Sequence, residues 1–325
     1  MKGYLRLRLP RAHHAKGFSL IELMISLAIG LVMMVVVFSA YLGASAAGRI
    51  AEAQGRMNED AQAALSVLTQ QLRMAGNNPI QFDRTAESPR NPVYKQESTG
   101  TAYYSSFMIR GCGEKFNTSS LITNLDDLKC SDGGGYSANA IAVSYEADVF
   151  NTVSTVEGEP TDCLGAKLPK IKNTAGNPSY PDYNVAENRF YIDVSPDKVP
   201  SLYCKGNGLN DNQESKPAPL VENIEDLQFT YGVVVTAGDL KTASISGYLQ
   251  ANKFMEKIAL PDDAARWARV VAVRICIVAR SEARVATDLA SARYTKCNGE
   301  IETAPPDLRL RRAYTTTVVL RNRRL

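Results

Sequence analysis

Histidine is scarce in this chain. The 325 residues include two, His13 and His14, and both lie in a basic stretch at residues 1–17. Removal of that stretch would leave a chain without histidine. Such a chain has no means of Ser-His-Asp or Cys-His catalysis and no histidine ligand for a metal ion.

An excess of positive charge is also missing from the rest of the chain. Five of the 37 Lys and Arg residues lie in 1–17, which leaves 32 against the 34 Asp and Glu residues. A nucleic-acid-binding surface is strongly basic, so bulk charge argues against a nucleic-acid partner. The composition, 45% hydrophobic and 22% charged, predicts one large or two small folded domains.

Patterns typical of catalytic and metal sites are absent from the sequence. There is no C-x-x-C pair, so a zinc ribbon or a thioredoxin-like site has no basis. Asp126, Asp127 and Asp132 stand near three glycines but lack the spacing of a calcium loop, which favours a solvated loop. No nucleophile–base pair is visible, and the sequence predicts no enzyme, no catalytic residue, no metal and no cofactor.

Arginines are concentrated near the end of the chain. This pattern predicts a solvated face rather than a ligand site. The residues concerned are Arg309, Arg311, Arg312, Arg321, Arg323 and Arg324.

A long apolar run follows the basic stretch. Phe18 to Leu42 is 25 residues long with one ionisable side chain, Glu22, and at ~1.5 Å per residue a helix of this length spans a bilayer. The preceding Lys and Arg residues place 1–17 in the cytoplasm and the chain beyond about residue 43 outside. Hydropathy leaves two interpretations open: a signal anchor that is never cut, or cleavage at Gly17–Phe18 that leaves the membrane helix on the product.

Glu22 is unusual because a carboxylate in hydrocarbon costs roughly 2.5–3.5 kcal/mol. Its position near the start of the helix offsets part of that cost through the helix dipole. Cleavage before Phe18 would create an ammonium group one helical turn away, in the same chain or in a neighbour. The alternative is a carboxylate that reaches the membrane interface without a partner.

The helical pattern continues beyond the membrane segment. Good helix formers dominate from Gly43 to Ala75 without a proline, and Gly76 with Pro79 predicts the end of a helix that begins at Phe18. Its outer half is amphipathic, which predicts packing on a folded domain. The apolar positions are Ile50, Met57, Ala61, Ala64, Leu65, Leu68 and Leu72, and the polar positions opposite them are Arg56, Glu59, Asp60, Gln62 and Gln70.

Residues 77–325 change character, because Gly, Asn, Ser, Asp and Pro now separate short runs with the period of a strand. Strands are predicted at 140–145, 190–194, 227–235, 270–279 and 314–320, with 270–279 as a central strand. Segments 157–188 and 205–219 are predicted to be loops. The sequence therefore predicts an α+β fold in which antiparallel strands pack on one long helix.

Six cysteines lie in this outer portion: Cys112, Cys130, Cys163, Cys204, Cys276 and Cys297. The predicted orientation places them in an oxidising compartment, where thiols pair. Six cysteines allow 15 pairings, and one or two buried free thiols are a further alternative. Sequential pairing (Cys112–Cys130, Cys163–Cys204, Cys276–Cys297) is favoured because each loop then closes locally.

The chain resembles type IV pilins and pseudopilins in the string from Gly17 to Leu23, GFSLIEL, which follows basic residues. Other strings resemble PilW-type minor pilins. These are Leu72–Gly76, Asn223–Gly232, Trp267 with Val270–Arg274, and Thr315–Arg323. The resemblance implies a type IV pilin-like fold, cleavage after Gly17 by prepilin peptidase, and methylation of Phe18. It also implies that Glu22 pairs with the N-terminus of a neighbouring subunit during assembly.

Four segments follow from this interpretation. Residues 1–17 are a cleaved leader, 18–43 a membrane and polymerisation helix, 44–76 its amphipathic continuation, and 77–325 a periplasmic domain. The resemblance implies an inner-membrane protein that enters the pilus tip. Its implied partners are other minor pilins, the major pilin, a tip adhesin, prepilin peptidase and the inner-membrane assembly platform. The alternatives are a type II secretion pseudopilin and a signal-anchored periplasmic binding protein that never polymerises.

Overall fold

The computed structural model describes residues 17–77, 93–96, 102–105, 108–117, 128–131, 138–171, 182–210, 213–234, 244–258, 260 and 263–322. The chain divides into two compact units, residues 1–51 and 52–325.

One long helix, α1, spans Leu20–Met74, close to the predicted limits of 18 and 75. Gly76 follows it with a φ of 70°, a left-handed conformation that glycine adopts readily just past a helix. The Gly76 N–H donates to the carbonyl of Ser144 at 2.9 Å, which fixes the helix end on the folded unit. Two short helices, α2 (Phe254–Lys257) and α3 (Asp263–Trp267), lie much later in the chain.

The strands of the described residues are all paired antiparallel. They are β1 (Val93–Gln96), β2 (Ala102–Ser105), β3 (Ile109–Cys112), β4 (Ala140–Ala147), β5 (Lys170–Ile171), β6 (Tyr183–Val194), β7 (Pro200–Lys205), β8 (Leu209–Asn210), β9 (Gln213–Glu214), β10 (Ala218–Glu222), β11 (Ile224–Val233), β12 (Gly247–Leu249), β13 (Val270–Arg284), β14 (Tyr294–Thr295), β15 (Ile301–Glu302) and β16 (Arg309–Val319).

Two sheets build the folded unit. The larger one has the order β10-β7-β6-β4-β3, with β5 also on β6, and the other has the order β12-β11-β13-β16. In the second sheet β13 is central as predicted, with Ile275 opposite Phe229 on one side and Thr316 on the other. Three further pairs, β1-β2, β8-β9 and β14-β15, form small hairpins.

A single hydrophobic core joins α1 to both sheets. Leu68 and Leu72 of α1, Phe190 of β6, and Phe229 and Ile275 of the second sheet all belong to it. The predicted α+β, pilin-like fold is confirmed: one long N-terminal apolar helix is combined with antiparallel sheets.

Both predicted loops were wrong in part. Segment 157–188 contains β5 and the first half of β6, and segment 205–219 contains β8, β9 and the start of β10. The first half of β6 was missed because buried polar residues such as Asn188 interrupt its apolar pattern. β10 was missed because it contains Pro219, which an edge strand tolerates beside the bulge found there.

Candidate processing and assembly segment

Gly17 and Phe18 lie just before α1, where the chain is exposed and not helical. The first helical hydrogen bond runs from the Leu23 N–H to the Ser19 carbonyl at 3.2 Å. The Gly17–Phe18 peptide bond therefore precedes the hydrogen-bonded backbone of the helix, which would otherwise hold it in a closed conformation. The bond thus lies in exposed, non-helical chain.

Ser19 and Glu22 form a reciprocal cap at the start of α1. The Ser19 N–H donates to Oε2 of Glu22 at 3.0 Å, and the Glu22 N–H donates to Oγ of Ser19 at 3.2 Å. Two backbone donors that α1 leaves without helical partners are satisfied in this way. Glu22 is therefore bonded within its own chain, and one carboxylate oxygen remains for a second partner.

Ser19 is a capping residue that the sequence analysis missed. The signal was present, because a serine followed three residues later by a glutamate, just before an apolar run, is typical of this cap. In the sequence, Glu22 stands out through its charge alone. The structure adds a backbone role for the same side chain.

The apolar half of α1 is exposed on all sides in its own unit. Its most apolar 18-residue window has a mean hydropathy of 2.7 with none of it buried, so α1 is long and apolar enough to cross a membrane. The hydroxyls of Ser26 and Ser39 donate to the carbonyls of Leu23 and Val36 at 3.0 and 2.9 Å. These polar groups are thus satisfied inside the helix, and lipid or other apolar helices can cover its surface.

The outer half of α1 is buried along the predicted stripe, except at Ile50, which is half-buried. The buried side chains are Met57, Ala61, Ala64, Leu65, Leu68 and Leu72. Polar contacts fix this half on the strands: Asn188 Nδ2 donates to Gln71 Oε1 at 2.8 Å, and Tyr314 Oη donates to Asn58 Oδ1. Of the predicted polar positions, all are exposed except Asp60, which is half-buried.

Three disulfides link the six cysteines in sequential order: Cys112–Cys130, Cys163–Cys204 and Cys276–Cys297. This is the pairing that the sequence analysis favoured. The described cysteines include no free thiol. Each disulfide therefore closes a local loop, of which the longest has a sequence separation of 41 residues.

The C-terminal arginines do not all lie on a solvated face, which corrects the prediction for Arg311. Its guanidinium is buried and pairs with Glu225 at 2.6 Å and Asp307 at 2.8 Å. Partial burial opposes the charge of Asp307, but hydrogen bonds from Arg311 and Arg309 outweigh it and hold the Asp307 pKa well below its usual range. Arg312 and Arg321 are exposed as predicted, whereas 323 and 324 lie outside the described residues.

The described residues offer no metal centre. No three His, Cys, Asp or Glu side chains within the described ranges are grouped so that they hold an ion. Asp126, Asp127 and Asp132, which the sequence analysis considered for calcium, lie outside those ranges.

Two family models match the chain. The model of the type IV pilus-assembly protein W, PilW, matches residues 189–322, from within β6 to just past the end of β16. The model of the prokaryotic N-terminal methylation motif matches residues 12–38, which include Gly17, Phe18 and Glu22. Comparisons with curated proteins and with solved structures found no match.

The apolar helix and the methylation motif fit a membrane-anchored pilin. The second match supports a narrower class, a type IV pilus minor pilin of the PilW-like kind, as the sequence resemblance predicted. Both matches point to a structural pilin and not to an enzyme.

Proposed function

We propose that this minor pilin joins a complex of minor pilins that primes type IV pilus assembly and lies at or near the fibre tip. The observation that carries the proposal is that one chain contains both the methylation motif and the PilW match. Its partners would be other minor pilins, the major pilin, a tip adhesin and the inner-membrane assembly platform. Loss of the protein would then impair twitching motility and cell adhesion.

Before assembly the chain would be held in the inner membrane by residues 18–43, with 1–17 in the cytoplasm. Prepilin peptidase would cut after Gly17, and Phe18 would be methylated. Residues 44–76 would continue the helix, and 77–325 would form the periplasmic domain. The accessible Gly17–Phe18 bond and the basic residues before it support this order of events.

The assembly step would depend on charge. Cleavage would give Phe18 an ammonium group, and the carboxylate of Glu22 would pair with such a group on a neighbouring subunit. Attraction between unlike charges is stronger where packed helices exclude water. The pair would therefore set the axial register of apolar helices that otherwise slide on one another.

Processing is tested by Gly17→Val. A branched side chain next to the cut should obstruct the peptidase, so we expect a product longer by the 17 residues of the leader, measured by intact mass spectrometry. Gly30→Val, inside the apolar helix, is the matched control and should be cut normally. Wild-type protein from cells that begins at Met1 or Lys2 would contradict the proposal.

Deletion of the gene distinguishes a role in the pilus from a role in type II secretion. We expect loss of twitching with normal protein secretion. Loss of secretion with normal twitching would instead indicate a type II secretion pseudopilin. An uncut chain, without a methylated Phe18 and with both processes intact, would indicate a signal-anchored binding protein.

A further inference from the structure

β16 is an edge strand with an open side. The second sheet ends at β16, and among the described strands only β13 pairs with it. The Leu320 N–H donates to the Val271 carbonyl at 3.0 Å, which makes these two residues a hydrogen-bonded pair. Because such pairs alternate in an antiparallel ladder, the backbone N–H and C=O groups of 313, 315, 317 and 319 point to the open side.

The sequence of this edge does not protect it. Natural edge strands carry charges or proline, which block pairing with another chain. From Ala313 to Val319 β16 reads AYTTTVV, which has no charge, no proline and a majority of β-branched residues. This stretch is well suited to accept another strand.

A groove of about 790 Å³ lies between this edge and α1. Its helix side is a mainly polar stripe of Gln62, Ser66, Thr69, Gln70 and Arg73, which Leu65 and Met74 adjoin, and its strand side is formed by Thr315 and Thr316. From 62 to 73 the stripe is roughly 16 Å long, enough to lie along about five residues of an added strand. Amide and hydroxyl groups on the stripe would bond small polar side chains on the inner face of that strand.

Three exposed arginines lie in the groove or flank its strand in sequence. Arg312 precedes the uncharged stretch, Arg321 follows it, and Arg73 lines the groove. In the described part of the chain none of the three has an ion-pair partner. Both ends of the uncharged stretch are therefore flanked by a positive charge, and Arg312 also lies over the Tyr314 ring, 5.7 Å from its centroid.

We propose that the open side of β16 and this groove bind an extended polypeptide segment of another protein, with about seven uncharged residues between acidic residues. Main-chain hydrogen bonds to the edge would supply affinity, and Arg312 with Arg321 would select the acidic flanks. A second copy of this chain does not fit. If two β16 strands paired antiparallel, Arg312 of one copy would lie near Arg321 of the other, and the like charges would repel each other. The proposal does not depend on the place of the protein in the pilus.

The probe is a fluorescein-labelled peptide, Asp-Glu-Ser-Val-Thr-Val-Ser-Val-Thr-Glu-Asp, titrated with the full chain in detergent micelles and followed by fluorescence anisotropy. A peptide with the same core and lysine flanks is its control. We expect the acidic peptide to bind at least about tenfold more tightly, because two exposed ion pairs are replaced by two repulsions. Equal binding of the two peptides would overturn the proposal.

Charge reversal tests the arginines. The double variant Arg312→Glu with Arg321→Glu should weaken the acidic peptide about tenfold and strengthen the lysine peptide. Arg293→Glu, a reversal of another exposed arginine in the folded unit, is the matched control and should change neither. An unchanged preference in the double variant would contradict the assignment of the flanks.

Backbone pairing is tested at Thr317, whose N–H points to the open side. Thr317→Pro removes that donor without touching the ladder with β13, whereas Thr317→Val keeps it. We expect binding to be lost in the first variant and kept in the second, with equal thermal unfolding of both. If the proline variant does not fold, hydrogen exchange of 313–319 in the wild type decides: protection by the acidic peptide supports the proposal, and no protection rejects it.

Two other occupants give different results. Concentration-dependent self-association of the wild type that Thr317→Pro abolishes would identify a second copy. Displacement of the bound probe by a helical peptide with the sequence of residues 52–74 would identify a neighbouring helix. Either result would overturn the proposal.

Discussion

Tyr231 carries a buried hydroxyl group without a hydrogen-bond partner among the described residues. Its ring packs edge-on against Phe254 and Trp267, with ring centroids 5.5 and 4.9 Å away. The hydroxyl lies against Gly111, where any larger side chain would meet it. Burial raises the pKa of Tyr231 far above its usual value, so the phenol stays neutral.

We therefore expect Tyr231→Phe to leave the free energy of unfolding unchanged or to raise it by up to about 1 kcal/mol. Tyr145→Phe is the matched control. Its hydroxyl accepts from Asn188 Nδ2 at 3.3 Å, so this change should cost about 1 kcal/mol. Denaturant unfolding measures both, and a larger loss for Tyr231→Phe than for Tyr145→Phe would show that the Tyr231 hydroxyl has a partner.

Asp307 makes the free energy of unfolding depend on pH in the acidic range. Its pKa is lowered in the folded protein, so the folded state binds fewer protons than the unfolded state as pH falls. The stability that it contributes is complete above its unfolded pKa, near 3.8, and is lost as pH falls through the lower folded value. Asp307→Asn should lower the free energy of unfolding by about 2 kcal/mol at pH 7 and flatten its decline below pH 4.

Urea unfolding between pH 2 and 7 tests this. Asp197→Asn, at an exposed turn, is the control and should follow the wild type. A variant at Asp307 that keeps the full acid dependence would show that another carboxylate causes it.

Residue roles were only partly predictable from sequence. Glu22 was recognised because one charge in a long apolar run is conspicuous. Arg311 was misjudged because its partner Glu225 is 86 residues away in the chain, and no local pattern reports such a pair. A partner so distant in the chain is set by tertiary contacts, which a linear pattern does not contain.

At the scale of elements, the outer half of α1 is held by its buried stripe. Leu68 is 1% exposed in the hydrophobic core, so Leu68→Ala removes buried surface and leaves a cavity. We expect a loss of about 2–5 kcal/mol in the free energy of unfolding. Gln70→Ala, two residues on and exposed, should change it by less than about 0.5 kcal/mol.

Thermal unfolding followed by near-ultraviolet circular dichroism, which reports tertiary packing, distinguishes the two variants. Equal effects would mean that α1 is not stabilised by this face.

Elements with a strong local period were the most predictable. β11 alternates apolar and polar residues and β13 is apolar on both faces, so each was found from its own sequence. β7 and β10 were not, because they are short and lie in a Gly-, Asn- and Pro-rich context. Their strand conformation depends on neighbours in the sheet, which supply the hydrogen bonds that local sequence does not specify.

At the scale of the whole molecule, variants at Glu22 can test the role of its charge separately from the role of its hydrogen bond to the backbone. Glu22→Gln keeps an oxygen for the Ser19 N–H but loses the charge, and Glu22→Ala loses both. We expect both variants to accumulate and to be processed normally, because the folded unit begins at residue 52. Both should be poorly incorporated into fibres if the carboxylate pairs with Phe18 of a neighbour.

Quantification of the protein in sheared pili checks this, with Ser19→Ala as the control that removes the serine half of the cap. If Glu22→Gln enters sheared pili as abundantly as the wild type, the cap and not the charge serves assembly. Wild-type incorporation of the Ala variant would mean that neither does.

The sequential disulfides have a consequence for biogenesis. In a chain that is exported behind an N-terminal membrane helix, cysteines arrive on the far side of the membrane in sequence order. Cys130 is the first to arrive after Cys112, Cys204 the first after Cys163, and Cys297 the first after Cys276. An oxidase that joins each arriving thiol to the one still waiting would form every native bond at its first attempt. A disulfide isomerase would then have no mispaired bond to correct.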